Sequence, residues 1–241
     1  MINTILFDLD GTLLQLKQDT FIKVYLAELA KVFSGMGLDA DASIKAVWAG
    51  TRAMVENDGS QINALRFWEV FSGLLGLDQV QQDEVEAACD YFYTHQFEAV
   101  RAIATPTDVP RRLIKALQVK GYTLVLATSP LFPACAMNTR LAWIGLAQDD
   151  FLLVTHYKNC RYCKPNLNYY AEVLAQIERG PEQCLMVGNN TNEDMCIEAM
   201  GVKAFLVTDC LENQRNLDIA SFKNGTLKEL EAYLMAFPDI L

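Results

Sequence analysis

The stretch ILFDLDGTLL, residues 5–14, decides how the chain is read. Three apolar residues of a strand run directly into two aspartates separated by one leucine. Buried carboxylates without partners are costly, so acids at the tip of an apolar strand call for a use or for solvent. Alternate side chains of a strand share a face, which places Asp8 and Asp10 together, about 6 to 7 Å apart along the chain, with Leu9 turned away. Gly11 permits a left-handed turn, and Thr12 can hydrogen-bond locally. From this fragment alone, a turn with solvated aspartates is an equal alternative.

Downstream of residue 108, short apolar runs alternate with helical patterns, the signature of a parallel sheet with crossover helices. TLVLAT (123–128), FLLVT (151–155), CLMVG (184–188) and KAFLVT (203–208) read as strands, which with NTILFD gives five. Asp108 is placed to cap a helix that carries Pro110 in its first turn and ends near Gly121, while LNYYAEVLAQIE and NEDMCIEAMG supply two further helices. Between these parts, apolar residues recur at three and four: Phe21, Tyr25, Leu29 and Val32, then Phe67, Phe71, Leu74 and Leu75, then Val85, Cys89 and Phe92. The pattern predicts an all-helical insert, residues 15–105, between the first strand and the rest of an α/β domain formed by 1–14 and 106–241.

Composition narrows the function. The chain has 241 residues, 51% of them hydrophobic, enough for a full core, and a formal net charge of -10 that disfavours nucleic acid or an anionic membrane surface as partner. No apolar run approaches the roughly 20 residues of a membrane span, and no signal peptide precedes the first strand. Seven scattered cysteines suit a reducing compartment, so a cytoplasmic protein is expected. His156, Cys160 and Cys163 lack the fourth ligand and second CxxC of a zinc site, and Cys160 and Cys163 do not open a helix after a strand as a redox pair would. GMG at 35–37 is loop punctuation, not a dinucleotide fingerprint. Trp48 and Trp68 read as insert core.

Three features lie at or just beyond carboxyl ends of predicted strands: Thr128 and Ser129 in TLVLATSP, Lys164 in CKPN, and Asn189, Asn190, Glu193 and Asp194 in VGNNTNEDM. With FDLDGTLL, their order and spacing resemble the haloacid dehalogenase superfamily, whose motifs are an aspartate pair, a hydroxyl, a lysine and an acidic loop. The resemblance spans the whole chain, because the helical insert lies where that superfamily carries its type I cap. It implies a Rossmann-like sheet and a phosphatase. Asp8 would be the nucleophile forming an aspartyl-phosphate, and Asp10 the acid that protonates the leaving oxygen and later activates water. Thr128, with Ser129, would hydrogen-bond the phosphoryl group, and Lys164 would neutralise it and hold Asp8.

The resemblance also implies Mg2+, held by Asp8, the backbone carbonyl of Asp10 and the loop after the fourth strand, through Asn190 and Asp194. Two like charges at 4 Å repel by about 4 kcal/mol at an effective dielectric of 20, so a phosphate dianion needs cations to approach the aspartates. Magnesium suits this because it binds oxygen, keeps waters and bridges a carboxylate to a phosphoryl oxygen. The family has an aspartate just after the glycine of its last motif; here Asn189 and Asn190 stand at that place. Glu193 is a reserve ligand whose simpler role is a helix N-terminal acid.

The expected substrate is a small phosphorylated metabolite, with hinges near residues 14–19 and 100–108, where Gln15 and Lys17 leave the core. Thr51 or Arg52 of the insert could face the phosphate, though a solvated Arg52 is the simpler reading. Three rivals are a phosphomutase of the same fold, a dehalogenase, against which Asp10 argues, and a non-catalytic phospho-ligand-binding protein.

Overall fold

The computed structural model describes residues 1–240. Its centre is a parallel sheet in the order β3-β2-β1-β4-β5-β6, with β1 Thr4–Phe7, β2 Thr123–Leu126, β3 Leu153–Val154, β4 Cys184–Gly188, β5 Lys203–Val207 and β6 Asn224–Gly225. The fold is the expected Rossmann-like α/β sheet with one strand more than predicted. That strand, β6, is a two-residue polar edge pairing, too short to leave an apolar run.

β1 is central because its four residues are wholly buried on both faces, as a parallel strand between crossover helices requires. Ile5 and Phe7 face one apolar cluster and Leu6 the other. In register, Phe7 lies opposite Leu126 of β2 and Val187 of β4. The residues that follow these three strands therefore emerge side by side at one edge of the sheet, where ligands of open α/β folds bind.

Between β1 and β2 the chain forms helices α1 Gln18–Gly35, α2 Ala40–Val55, α3 Asn63–Leu75, α4 Gln79–Tyr91 and α5 Glu98–Arg101, with a π-helical turn Phe92–Gln96 before α5. Asp39 caps α2 by accepting from Ala42 N at 2.7 Å, and Asp78 forms a capping box with Gln81 at the start of α4. Phe21, Leu29, Phe33 and Phe71 bury their rings and branches in a cluster continuous with the Ile5 and Phe7 face of the sheet. Gln15 O accepts from Thr105 N at 2.7 Å, which ties the two chain segments entering and leaving the insert. Asn63 N donates to Cys160 O at 2.9 Å and Ala64 N to Tyr157 O at 2.8 Å, docking the start of α3 on the loop before Lys164.

The remaining helices are α6 Val109–Val119, α7 Ala134–Trp143, α8 Leu167–Gln176 and α9 Leu227–Met235. Asp108 stands at the N-cap of α6, but its carboxylate pairs with Arg112 at 2.8 Å instead of capping. The segment NEDMCIEAMG departs from expectation: it is a 3-10 helix, Met195–Met200, because Asp194 and Asn190 tighten the preceding turn through their side chains. No helix among the described residues is long and apolar enough to cross a membrane.

Candidate active site

At the sheet edge Asp8 follows β1, and its backbone N–H donates to Val187 O at 2.9 Å, fixing the carboxylate between β1 and β4. Lys164 is buried and donates to Asp8 Oδ1 at 2.9 Å and to Asp194 Oδ1 at 2.6 Å, so one ammonium joins the first and last of the predicted motifs. Asp194 Oδ2 accepts from Asn190 N at 2.9 Å. Gly188 makes this closeness possible, since a Cβ there would lie 2.2 Å from Asp194 Cγ. Thr12 Oγ1 is 3.2 Å from Asp8 Oδ2 and 3.0 Å from Asn189 Oδ1, linking the two strand ends.

Thr128 is held by its backbone, whose carbonyl accepts from Thr155 Oγ1 at 2.7 Å and Tyr169 Oη at 2.9 Å, and it lines the same cavity as Ser129, Asp8 and Lys164. Asp10 also lines that cavity, and its Oδ2 pairs with the guanidinium of Arg140. Asp10 Oδ1 is buried with no hydrogen-bond partner among the described residues.

Arg140 was not among the residues singled out in the sequence. It lies on α7, 1% exposed, its guanidinium 4.3 Å from the Phe132 ring centroid and 5.7 Å from that of Phe21. The available signal was helical spacing, because Arg140 shares a face with buried Ala136, Met137 and Leu141.

Asn190, expected to reach a metal, turns its side chain into the loop. Its Oδ1 accepts from Asn192 N at 2.9 Å and Glu193 N at 3.0 Å, so both lone pairs are engaged in a turn and none is offered to a metal. Asn189 is likewise committed, to Thr12 and, through Nδ2, to Cys210 O at 2.7 Å. Of the insert residues, Thr51 lines the cavity, whereas Arg52 is exposed and paired with Glu56 at 2.8 Å. Cys163 and Cys160 are buried, and Cys163 Sγ receives Asn63 Nδ2 at 3.3 Å.

The electrostatics are those of an acid-rich site. Burial, then the neighbouring Asp8 carboxylate, raises Asp194 to about 6 against the pull of Lys164. Burial followed by repulsion from Asp194 raises Glu193 to about 7. Asp10 is raised by burial and by Asp8, with Arg140 opposing. For Lys164 burial disfavours the ammonium, but Asp194 and Asp8 outweigh it and hold the group well above the ordinary lysine range. Carboxylates thus outnumber the cations that face them. Among the described residues no three His, Cys, Asp or Glu side chains converge as a preformed metal cage. A magnesium site needs less, namely one or two carboxylates completed by waters and substrate oxygens, and Asp8 and Asp194 stand close enough to share the Lys164 ammonium.

The family model of haloacid dehalogenase-like hydrolases matches residues 2–201. The chain belongs to this family. As a haloacid dehalogenase-like hydrolase it is 24% identical over 217 residues to pyrophosphatase PpaX of Anoxybacillus flavithermus, covering 90% of this chain and 88% of that one. Its fold is similar to a HAD phosphatase from Thermococcus onnurineus, with a TM-score of 0.59, 18% identity and coverage of 99% and 100% of the two chains. It is also similar to 2-haloacid dehalogenase from Pseudomonas syringae pv. Tomato DC3000, at a TM-score of 0.61, 19% identity and coverage of 98% and 99%.

Proposed function

We propose that this hydrolase is a magnesium-dependent phosphatase that cleaves a small phosphate ester through an aspartyl-phosphate on Asp8. The observation that carries the reading is the Lys164 ammonium set between Asp8 and Asp194, with Asp10 and Thr128 on the same cavity wall. The relation to a pyrophosphatase supports phosphoryl chemistry.

Asp8 attacks phosphorus with one carboxylate oxygen while Lys164 offsets the negative charge gathering there. Asp10, its carboxyl raised by burial, holds the proton that the leaving oxygen takes. The resulting Asp10 carboxylate is then positioned to draw a proton from the water that opens the aspartyl-phosphate. Thr128 and Ser129 orient the phosphoryl oxygens. The acid excess and the unpartnered Asp10 Oδ1 fit a cation here, held by Asp8, the Asp10 carbonyl and Asp194. Bound there, Mg2+ would supply Lewis-acid neutralisation of phosphoryl charge.

In this reading residues 15–105 are a cap over a core of 1–14 and 106–241, of which residue 241 lies outside the described residues, and the cap excludes bulk water from the phosphoenzyme. The unpaired cysteines suit a cytoplasmic enzyme. The test is phosphate release from a panel of phosphorylated metabolites with MgCl2 and with EDTA, beside Asp8→Asn. Release should require the metal and fall by about 10^4-fold or more in the variant, the scale of losing a nucleophile. Equal release by Asp8→Asn would overturn the proposal.

A further inference from the structure

We infer that the substrate is a phosphate monoester whose alcohol is an apolar, uncharged body, not one that carries a second phosphate or a carboxylate; the inference rests on the phosphatase reading above. The cavity that begins at Asp8, Thr128 and Lys164 has a volume of about 320 Å³ and runs into the helical insert. Its far wall is built from Leu29, Phe33, Val47, Phe67, Trp68 and Phe71. Of these, Leu29, Phe33 and Phe71 are almost wholly buried, while Trp48 and Val55, which also line the cavity, are exposed, so the wall is apolar and opens to solvent on the side of α2. A cavity of this size is at the small end of ligand sites, with room for a phosphoryl group and a body of several carbons.

Charge sharpens the choice. Among the described residues lining the cavity, Lys164 is the only lysine or arginine, and it stands at the phosphoryl end, already between Asp8 and Asp194. The polar lining groups nearer the insert include two acids, Glu86 and Asp90. Glu86 is satisfied by Lys158 at 2.7 Å and Tyr157 Oη at 3.0 Å, and Asp90 accepts from Cys135 Sγ at 3.1 Å. Tyr25 and Tyr93, which also line it, share one hydrogen bond between their hydroxyls at 2.6 Å, which leaves a single O–H of the pair uncommitted. A second anion on the leaving group would lie against an apolar wall with no cation to meet it and would lose part of its hydration uncompensated. A sugar would leave several hydroxyls unpaired against the same rings. Among the described residues the one unpartnered polar group of this wall is the buried Trp68 Nε1–H, a single donor, so an aliphatic or aromatic alcohol leaves little unpaired there and gains the burial of its carbons.

The test is calorimetric binding of n-alkylphosphonates to the wild-type protein in MgCl2, which needs neither turnover nor a variant. Each added methylene should tighten Kd by about fourfold, roughly sixtyfold from methyl- to butylphosphonate. Phosphonoacetate and methylenebisphosphonate should bind no more tightly than methylphosphonate. A flat alkyl series, or either probe with a second anionic group binding more tightly than butylphosphonate, would overturn the inference. Phosphate release from alkyl and aryl phosphates by the same protein tests the phosphatase reading separately, so a rising alkyl series without turnover would sink that reading and leave the apolar site standing.

Discussion

Arg140→Met separates the electrostatic role of the buried guanidinium from its packing. The substitution keeps an unbranched apolar stem against Phe132 and Phe21 but removes the charge that faces Asp10. At about 4 Å and an effective dielectric of 20, an interaction of two unit charges is worth at most about 4 kcal/mol. Asp10 is 24% exposed and still feels Lys164, so the effect of losing Arg140 falls below that figure. The sign follows from the roles. Burial and Asp8 already favour protonated Asp10, and Arg140 opposes them; without Arg140 the carboxyl keeps its proton to higher pH, and the alkaline limb of kcat/KM moves upward. Breaking a buried pair also costs about 3 to 5 kcal/mol, a loss in Tm on the order of 10 °C for a chain of this size. The assay is the pH–rate profile of phosphate release with thermal melts of the same samples. Arg140→Lys, which retains charge but not the planar fork, should restore the limb more than the Tm. A lowered Tm with an unmoved alkaline limb in Arg140→Met would refute the link between Arg140 and Asp10 protonation.

Asn189→Asp would set a carboxylate beside Thr12 and Asp8 at the cost of the Nδ2 bond to Cys210 O, and should tighten Mg2+ by about tenfold in a metal titration while lowering Tm in EDTA. Asn190→Asp should leave it unchanged, because that oxygen is turned to the amides of Asn192 and Glu193; the reverse order would contradict the loop geometry. In EDTA, stability should fall as pH rises from about 4 to about 7, since Asp194 at about 6 and Glu193 at about 7 keep protons in the folded state that the unfolded chain has already released. Added MgCl2 should then raise Tm more at pH 8 than at pH 5; equal gains at both would argue against cation binding among these acids. Gly188→Ala must displace Asp194, given a Cβ 2.2 Å from Asp194 Cγ, and should cut phosphate release by about a hundredfold or more with a lowered Tm. Activity near wild type would mean that the Lys164–Asp194 contact is dispensable.

Strands buried on both faces announce themselves as continuous apolar runs, so β1, β2, β4 and β5 were legible, and the repeat of three and four in Phe21, Tyr25 and Leu29 marked α1. β6 was not, because two polar residues at a sheet edge carry no hydrophobic pattern. The 3-10 helix Met195–Met200 shares its periodicity with an α-helix closely enough to mislead, and only the side-chain hydrogen bonds of Asn190 and Asp194 distinguish them. The meeting of Asp8, Lys164 and Asp194 followed from motif order. The partner of Asp10 did not, since Arg140 lies 130 residues away and a lone arginine in a helix ordinarily faces water.

The start of α3 bears on traffic through the insert. Asn63 is fully buried, and its side-chain amide reaches Pro130 O at 3.4 Å and Tyr162 O at 3.3 Å while its backbone holds Cys160. In the proposed cap reading the paired connectors at Gln15 and Thr105 would serve as the pivot, and this amide would hold the opposite rim. An outward swing of the rim would have to break these contacts, so the dwell time of a spent alcohol inside would depend on a handful of amide hydrogen bonds to the loop that leads into Lys164.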